Sequence, residues 1–501
     1  MSNGRAPRPA LAIASGVAMA LAMPGPGLWP LVLLSPALLY RALEGRRGWF
    51  AFRDGWLAGF AQWVVAAAWV VIVLHRHGHL WLPLSIVALF VMAALMGLGW
   101  AVAAWGVSMV PRSWQVAVLP LALCAFEQIQ HLPPWIFPWN PAAAVLTSVP
   151  ALLAPAPVLG TAGLSLLVYF AGAGAGAAID PRRRRGGAVA LVAVVLTFAM
   201  ASLAAPPFRP SGPPVPVAAV QPNVPLEFRW DEDNLEDIET RVMRLSAEAA
   251  GAGARWIVWP ESAVPRVLER DGTWRAGLER FTREHDVWLL VGSIGLGPDE
   301  GSYSNSVFSL SPAGLLPWRY DKTHLVPFGE YLPAAVRWLL PRALVREVGS
   351  FTPGASALPL PSPAGPAGVA VCYEVAYPSL YADEVARGAS VLVTITNDGW
   401  YGDSAAPRQH MALAMLRAAE NRRWLVRAAN TGISAVIDPE GRVSARLGLD
   451  REGTVLASVQ PGSGATPAAR WGGVAAGLLV LAVVSAILAG VWTRRRMGGA
   501  G

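Results

Sequence analysis

Two cysteines in 501 residues rule out a disulfide-built scaffold, and they lie far apart. Cys124 sits inside a long apolar region, and Cys372 closes a short apolar run in "GVAVCYEVAYPSLY". Charge is scarce too. Asp, Glu, Lys and Arg make up 15% of the chain against 54% hydrophobic residues, and the mean hydropathy is +0.41. That balance excludes an ordinary soluble protein and implies membrane spans. The net charge of +7 does not point to nucleic acid, because the arginines form short clusters between apolar runs, as orientation signals do. The seven histidines are scattered, with no His/Cys/acid cluster at ligand spacing, so no resident metal is expected. No phosphate-cradling glycine loop, internal repeat or low-complexity segment stands out.

What is present divides into two regimes. Residues 9–205 are almost continuously apolar, and 471–493 are apolar again. A helical span needs roughly 20 apolar residues. On that scale seven spans precede the middle of the chain, at about 9–24, 26–42, 55–74, 82–110, 113–130, 148–178 and 187–205, with an eighth at 471–493. The first stretch also has the look of a cleavable signal peptide. The basic clusters all fall on one side of the spans: Arg5 and Arg8, then Arg41, Arg46, Arg47 and Arg53, then Arg112, then Arg182 to Arg185, then Arg494 to Arg496. The loop after the third span has only Arg76, and "HLPPWIFPWNP" has no Lys or Arg. The positive-inside rule then puts both termini in the cytoplasm and the middle region across the membrane.

That middle region alternates buried strands with helices. "VPVAAVQPNV", "RWIVWPES", "VWLLVGS", "NSVFSLSP", "GVAVCYE", "SVLVTITND", "LVRAANTGISAVID" and "GTVLASV" read as strands. "DEDNLEDIETRVMRLSAEAAGAG" reads as a helix, with Leu235, Ile238, Val242 and Leu245 at helical spacing and N-caps offered by Asp231 to Asn234. Further helices are expected at about 263–285, 377–387 and 408–422. The fold class is therefore a membrane α-helical bundle of about eight helices plus a layered α/β domain. The expected division is 1–207 for the bundle, 208–465 for the α/β domain outside the cytoplasm, and 466–501 for a last span with a basic cytoplasmic tail.

Three fragments carry chemistry: "WPESAVP" with Glu261, "YDKTHLVPFGEYLP" with Lys322 and Glu330, and "CYE" with Cys372 and Glu374. A thiol is a weak nucleophile until a base takes its proton or a cation stabilises the thiolate. A buried carboxylate supplies the first and a lysine ammonium the second, and the ammonium also meets the oxyanion of a tetrahedral intermediate. A second glutamate can hold that lysine charged and oriented. A Cys-His arrangement using His324 or His410 is the alternative. A lone strand cysteine is also often a small core residue.

The order WPES, DKTHLVPFGEYLP, VCYE, "TNDGWYGDSAAPRQH" resembles the carbon–nitrogen hydrolase (nitrilase) superfamily with its Glu-Lys-Cys triad. Joined to the flanking spans, it resembles the bacterial apolipoprotein N-acyltransferase family over essentially the whole chain. The resemblance implies an α-β-β-α sandwich on an eight-helix bundle in the inner membrane, with the sandwich in the periplasm. It implies acyl transfer from a phospholipid to the α-amine of a diacylglyceryl-cysteine apolipoprotein, without a cofactor, by a chain expected to be monomeric. Carried over by motif, Glu261 is the general base, Lys322 the oxyanion stabiliser and Cys372 the nucleophile. Glu330, Tyr373 and Glu374 match supporting positions, and Trp230 in "EFRW" matches a residue on a substrate-gating loop. A membrane-tethered amidase or thioesterase with the same triad is the rival enzyme, and a non-enzymatic lipid-binding protein the rival of another class.

Overall fold

The computed structural model describes residues 7–132, 137–228, 232–327, 329–331, 351–355 and 358–498. Arg5, Trp230 and Asp231 lie outside the described residues. The chain forms two compact units: Met1–Pro206 with Ser404–Ala412 and Arg470–Gly501, and Pro207–Asp403 with Leu413–Ala469.

In the first unit the apolar runs become helices α1 (Arg8–Ala22), α2 (Leu31–Ala42), α3 (Trp49–Ala66), α4 (Val70–Ile72), α5 (Leu82–Met109), α6 (Gln115–Ile129), α7 (Ala156–Ala178) and α8 (Arg184–Ala204). Among the described residues, four helices are long and apolar enough to cross a membrane: α5, α7, α8 and the helix opening at Pro467. A fifth span arises if α3 is joined to the turns at Val70–His77, across a 57° bend. α1, α2 and α6 are apolar but shorter. Eight full-length spans are thus more than helix length and composition support here. The expected span at 148–178 is also shorter, because a 3-10 turn at Pro150–Leu153 precedes α7 and Pro155 stands at its N-cap.

The bend after α3 frees backbone groups that a straight helix would pair. Gln409 donates its Nε2 to the Ala66 carbonyl at 3.0 Å, and its Oε1 accepts the indole N–H groups of Trp69 (3.2 Å) and Trp139 (2.8 Å). A buried break in a helix is tolerated where side chains re-satisfy it in this way.

The second unit contains two sheets. One has the strand order β11-β1-β2-β3-β4-β5 and the other β10-β9-β8-β7-β6. Their strands are β1 (Val215–Gln221), β2 (Trp256–Val258), β3 (Trp288–Leu296), β4 (Tyr303–Ser311), β5 (Gly314–Asp321), β6 (Ala367–Val371), β7 (Val391–Thr396), β8 (Leu425–Ala429), β9 (Ser434–Ile437), β10 (Val443–Leu447) and β11 (Gly453–Val459). β1, β2 and β3 run parallel, joined by α9 (Leu235–Gly251) and α10 (Gly272–His285). β6, β7 and β8 repeat the pattern with α11 (Pro378–Ala386) and α12 (Ala406–Asn421). Parallel strands need such crossovers, and their carboxyl ends are where reactive groups gather. The last helix, α13, is Pro467–Gly498.

Ile238, Val242, Leu245 and Ala249 of α9 and Leu278 and Phe281 of α10 form one core with Ile257, Leu289 and Val291 of the first sheet. α11 covers the second sheet, where Tyr381 donates to the Val393 carbonyl at 2.6 Å. The sheets face each other closely at Gly292, where an added Cβ would lie 2.5 Å from the Pro260 carbonyl oxygen and 2.7 Å from Ile395 Cδ1.

Several elements differ from the sequence expectation. α10 starts at Gly272, not 263, because Pro265 interrupts and Asp271 caps the helix by accepting from Trp274 N–H at 2.9 Å. Asn234 precedes α9 but donates back to the Phe228 carbonyl (3.3 Å) instead of capping. The run 425–438 is two strands, β8 and β9, paired antiparallel about the turn at Asn430 to Ile433. β5 and β10 carry too many exposed residues to be read as buried strands.

Candidate active site

Cys372 follows β6 directly and opens a 3-10 turn at Cys372–Ala376. Its φ is +54°, a left-handed conformation that costs a residue with a Cβ about 1–3 kcal/mol and persists only when its surroundings hold it. Much of that hold comes from Glu374, which is fully buried. Its Oε2 accepts from Val371 N–H (2.8 Å) and Tyr320 O–H (2.8 Å). Its Oε1 accepts from Thr323 N–H (2.7 Å), Thr323 Oγ1 (2.8 Å) and His324 N–H (2.9 Å). Burial alone would push this carboxyl up, but these hydrogen bonds and Lys322 bring it below the usual range. The acid two places after the cysteine is therefore a clamp between the Cys372 turn and the Lys322 segment.

Lys322 follows β5 and is 1% exposed. Its Nζ donates to Glu330 Oε1 at 2.8 Å and lies 3.6 Å from Glu261 Oε1. Burial works against the ammonium, but Glu330, Glu261 and Cys372 outweigh it and raise the lysine above its ordinary value. Glu261, past β2, accepts Asn397 N–H on Oε2 (2.9 Å) and Asn305 Nδ2 on Oε1 (2.7 Å). Asn305 Nδ2 also reaches Glu330 Oε1 at 3.2 Å, so one amide spans both carboxylates. Glu330 Oε2 accepts from Val326 N–H at 2.8 Å. The Cys372 thiol is held up by burial first and then by the Glu261 charge, while Lys322 pulls it back. Glu261, Lys322, Glu330 and Cys372 thus come together, with a proton acceptor and a fixed cation acting on one protonated thiol.

Tyr373 is buried and meets the Tyr377 ring edge-on at 5.6 Å. Burial raises both phenols, Tyr377 to about 12. His324 stacks on Tyr377 (4.2 Å) and shares a hydrogen bond with Thr323 Oγ1 (2.9 Å), while the His410 ring packs tilted against Trp139 at 5.3 Å. The His324 ring is committed to that packing, which favours Glu261 over a Cys-His arrangement. Trp230 lies outside the described residues.

Four contributors were missed in the sequence. Asn305 sits in β4, where "YSNSVFSLS" buries Ser304, Asn305, Ser306 and Ser309, and a buried polar run in a strand was the available signal. Asn397 acts through its backbone N–H, which no side-chain type announces. Asp398 and Arg427 form a fully buried pair at 2.6 Å beneath the turn that carries Asn397. An arginine inside the apolar strand "LVRAA" was its trace.

A buried Glu-Lys-Cys cluster at the carboxyl ends of strands in two facing sheets defines a carbon–nitrogen hydrolase domain, and the carbon–nitrogen hydrolase family model matches residues 216–467. A second family model, the apolipoprotein N-acyltransferase N-terminal domain, matches residues 15–174. The apolipoprotein N-acyltransferase of Geobacter metallireducens is 34% identical, over 95% of this chain and 94% of its own. Those of Azotobacter vinelandii (35% identical, 92% and 91%) and Methylococcus capsulatus (33%, 92% of each) align as fully. The chain belongs to the apolipoprotein N-acyltransferase family.

Proposed function

We propose that the protein moves an acyl chain from a phospholipid to the N-terminal amine of a diacylglyceryl-cysteine apolipoprotein through a Cys372 thioester. Glu261 takes the Sγ proton as the sulfur attacks the ester carbonyl, and the Lys322 ammonium meets the oxygen that becomes negative. The intermediate collapses, the lysophospholipid oxygen leaves with the proton from Glu261, and the acyl group stays on sulfur. The acceptor amine then attacks the thioester, Glu261 takes its proton, and the sulfur leaves and is reprotonated. The acyl group passes from oxygen to sulfur to nitrogen without change of oxidation state, so no cofactor is required. Glu330 keeps Lys322 charged and aimed, Glu374 fixes the two segments, Tyr373 lines the site beside the nucleophile, and Trp230 gates it.

The observation that carries this reading is the Lys322 ammonium between Glu330 (2.8 Å) and Glu261 (3.6 Å), with Lys322 and Glu261 acting on the Cys372 thiol. The apolar helices supply a lateral route for two lipid substrates. In this reading all eight helices of the bundle serve as spans, the short ones included, in the inner membrane. Both termini are cytoplasmic, the α/β unit faces the periplasm, and the chain acts as a monomer.

The test is lysophospholipid released per enzyme over time, together with intact protein mass. With phospholipid alone, one equivalent is released and an acyl adduct stays on Cys372. A peptide bearing a free-amine diacylglyceryl-cysteine then discharges it and restores turnover. Continuous release without acceptor identifies an amidase or thioesterase, and no release at all identifies a lipid carrier.

A further inference from the structure

One end of the helical unit, where α2 stops and α3 starts, carries cations that its acids do not match. Buried Asp54 takes Arg46 Nε at 2.9 Å and Arg53 Nη2 at 2.7 Å. Glu44 takes Arg41 at 3.6 Å, and Asp180 takes Arg183 at 3.7 Å. Arg183 also donates to the Tyr40 hydroxyl at 2.8 Å, which brings the start of α8 to the same end. Several more arginines there have no carboxylate at ion-pair distance among the described residues, and Arg8 and Arg112 are two of them. Arg8, at the start of α1, donates only to the main-chain carbonyl of Glu44, which carries no net charge. Arg112, between α5 and α6, is exposed.

Both guanidinium groups reach the same spot. A Cβ on Gly45 would lie 3.4 Å from Arg112 Nη2 and 3.7 Å from Arg8 Nη1. Gly45 has φ +69°, a conformation that glycine adopts freely, so the point between the two cations stays clear of side chain. Like charges this close repel unless an anion joins them. Planar guanidinium forks match phosphate oxygens in geometry as well as charge. Trp49, Phe50 and Trp114 are exposed around this end. Aromatic residues of that kind mark the headgroup level of a bilayer, where phosphodiesters are concentrated.

We propose that Arg8 and Arg112, converging over Gly45, form a phosphate-binding site that takes the headgroup phosphate of an anionic phospholipid. The site belongs to the helical unit, and its existence does not depend on which acyl donor the Cys372 cluster uses.

Native mass spectrometry of the full chain in neutral detergent, titrated separately with phosphatidylglycerol and with inorganic phosphate, tests it. The wild type should hold one phosphatidylglycerol at least about tenfold more tightly than Arg8→Gln/Arg112→Gln, the loss that follows from removing charged hydrogen bonds. Arg184→Gln/Arg185→Gln removes the same charge at the same end and should bind like wild type. Gly45→Asp puts a carboxylate between the guanidiniums in a backbone conformation aspartate tolerates, and should abolish binding. Inorganic phosphate that binds with the same dependence on both arginines supports the site and names free phosphate as a source. Lipid binding alone names the headgroup. Equal binding by wild type and Arg8→Gln/Arg112→Gln overturns the proposal, as does an equal loss in the Arg184/Arg185 control, which would reduce the effect to diffuse charge.

Discussion

Glu374 accepts both the backbone N–H of Thr323 (2.7 Å) and its hydroxyl (2.8 Å), so a residue two places after the nucleophile grips the residue next to Lys322. The grip makes a prediction with a sign. Glu374 is held below the usual carboxylate range, so its stabilisation is full at neutral pH and is lost as pH falls below about 4 through the folded value. Glu374→Gln turns an acceptor into a donor facing N–H and O–H groups and should cost about 2–3 kcal/mol. The melting temperature against pH should fall at neutral pH and lose its acid limb. An unchanged profile would remove the clamp role.

Cys372→Gly and Cys372→Ala should reverse the usual order of stability. Glycine ordinarily costs about 0.5–1 kcal/mol against alanine in ordered structure. At φ +54° the glycine variant should instead melt higher, by about 1 kcal/mol. Equilibrium unfolding of the two inactive variants decides it.

Glu261→Gln should slow acylation of Cys372 by ~10²–10⁴-fold and Lys322→Ala by ~10²–10³-fold. Single-turnover intact mass measures both rates, and wild-type acylation by either variant would disprove its role.

The resting Cys372 thiol should resist alkylation until well above the pH at which free cysteine reacts, because burial and Glu261 keep it protonated. Lys322→Ala should push that onset higher still. Iodoacetamide labelling rates against pH check it, and a low-pH onset would mean a preformed thiolate.

A reporter active only outside the cytoplasm, fused after Pro206, should be active, and fused after Arg185 it should be silent. The reverse pattern would invert the proposed topology.

Periodicity was enough to locate α9, because Ile238, Val242 and Leu245 share one buried face, and the fully apolar β6 and β7 announced themselves. Glu261 and Cys372 stood out because each ends an apolar run, and Lys322 because it sits in the distinctive fragment "YDKTHLVPFGEYLP". The clamp was not legible: Thr323 and Glu374 are 51 residues apart, and no local pattern reports a contact across that distance. Nor does composition reveal that Asn305 spans Glu261 and Glu330, since an asparagine in a serine-rich strand looks the same wherever its amide points. The bundle was less legible, because hydropathy counts apolar residues and does not see the prolines and breaks that shorten α7 and bend α3, so helix length and composition alone support four or five spans among the described residues.

Gly292 limits how this sequence can drift. Neighbouring core positions can trade one aliphatic side chain for another if volume is kept. At Gly292 even a methyl group meets the Pro260 carbonyl on one side and Ile395 on the other. The Pro260 carbonyl is main chain and adjoins Glu261, so it cannot yield without carrying the carboxylate with it. Ile395→Val would relieve only the far side. Alanine at 292 should therefore reduce acyl transfer more than it reduces folding, and a library built across β3 should recover only glycine there under selection for activity.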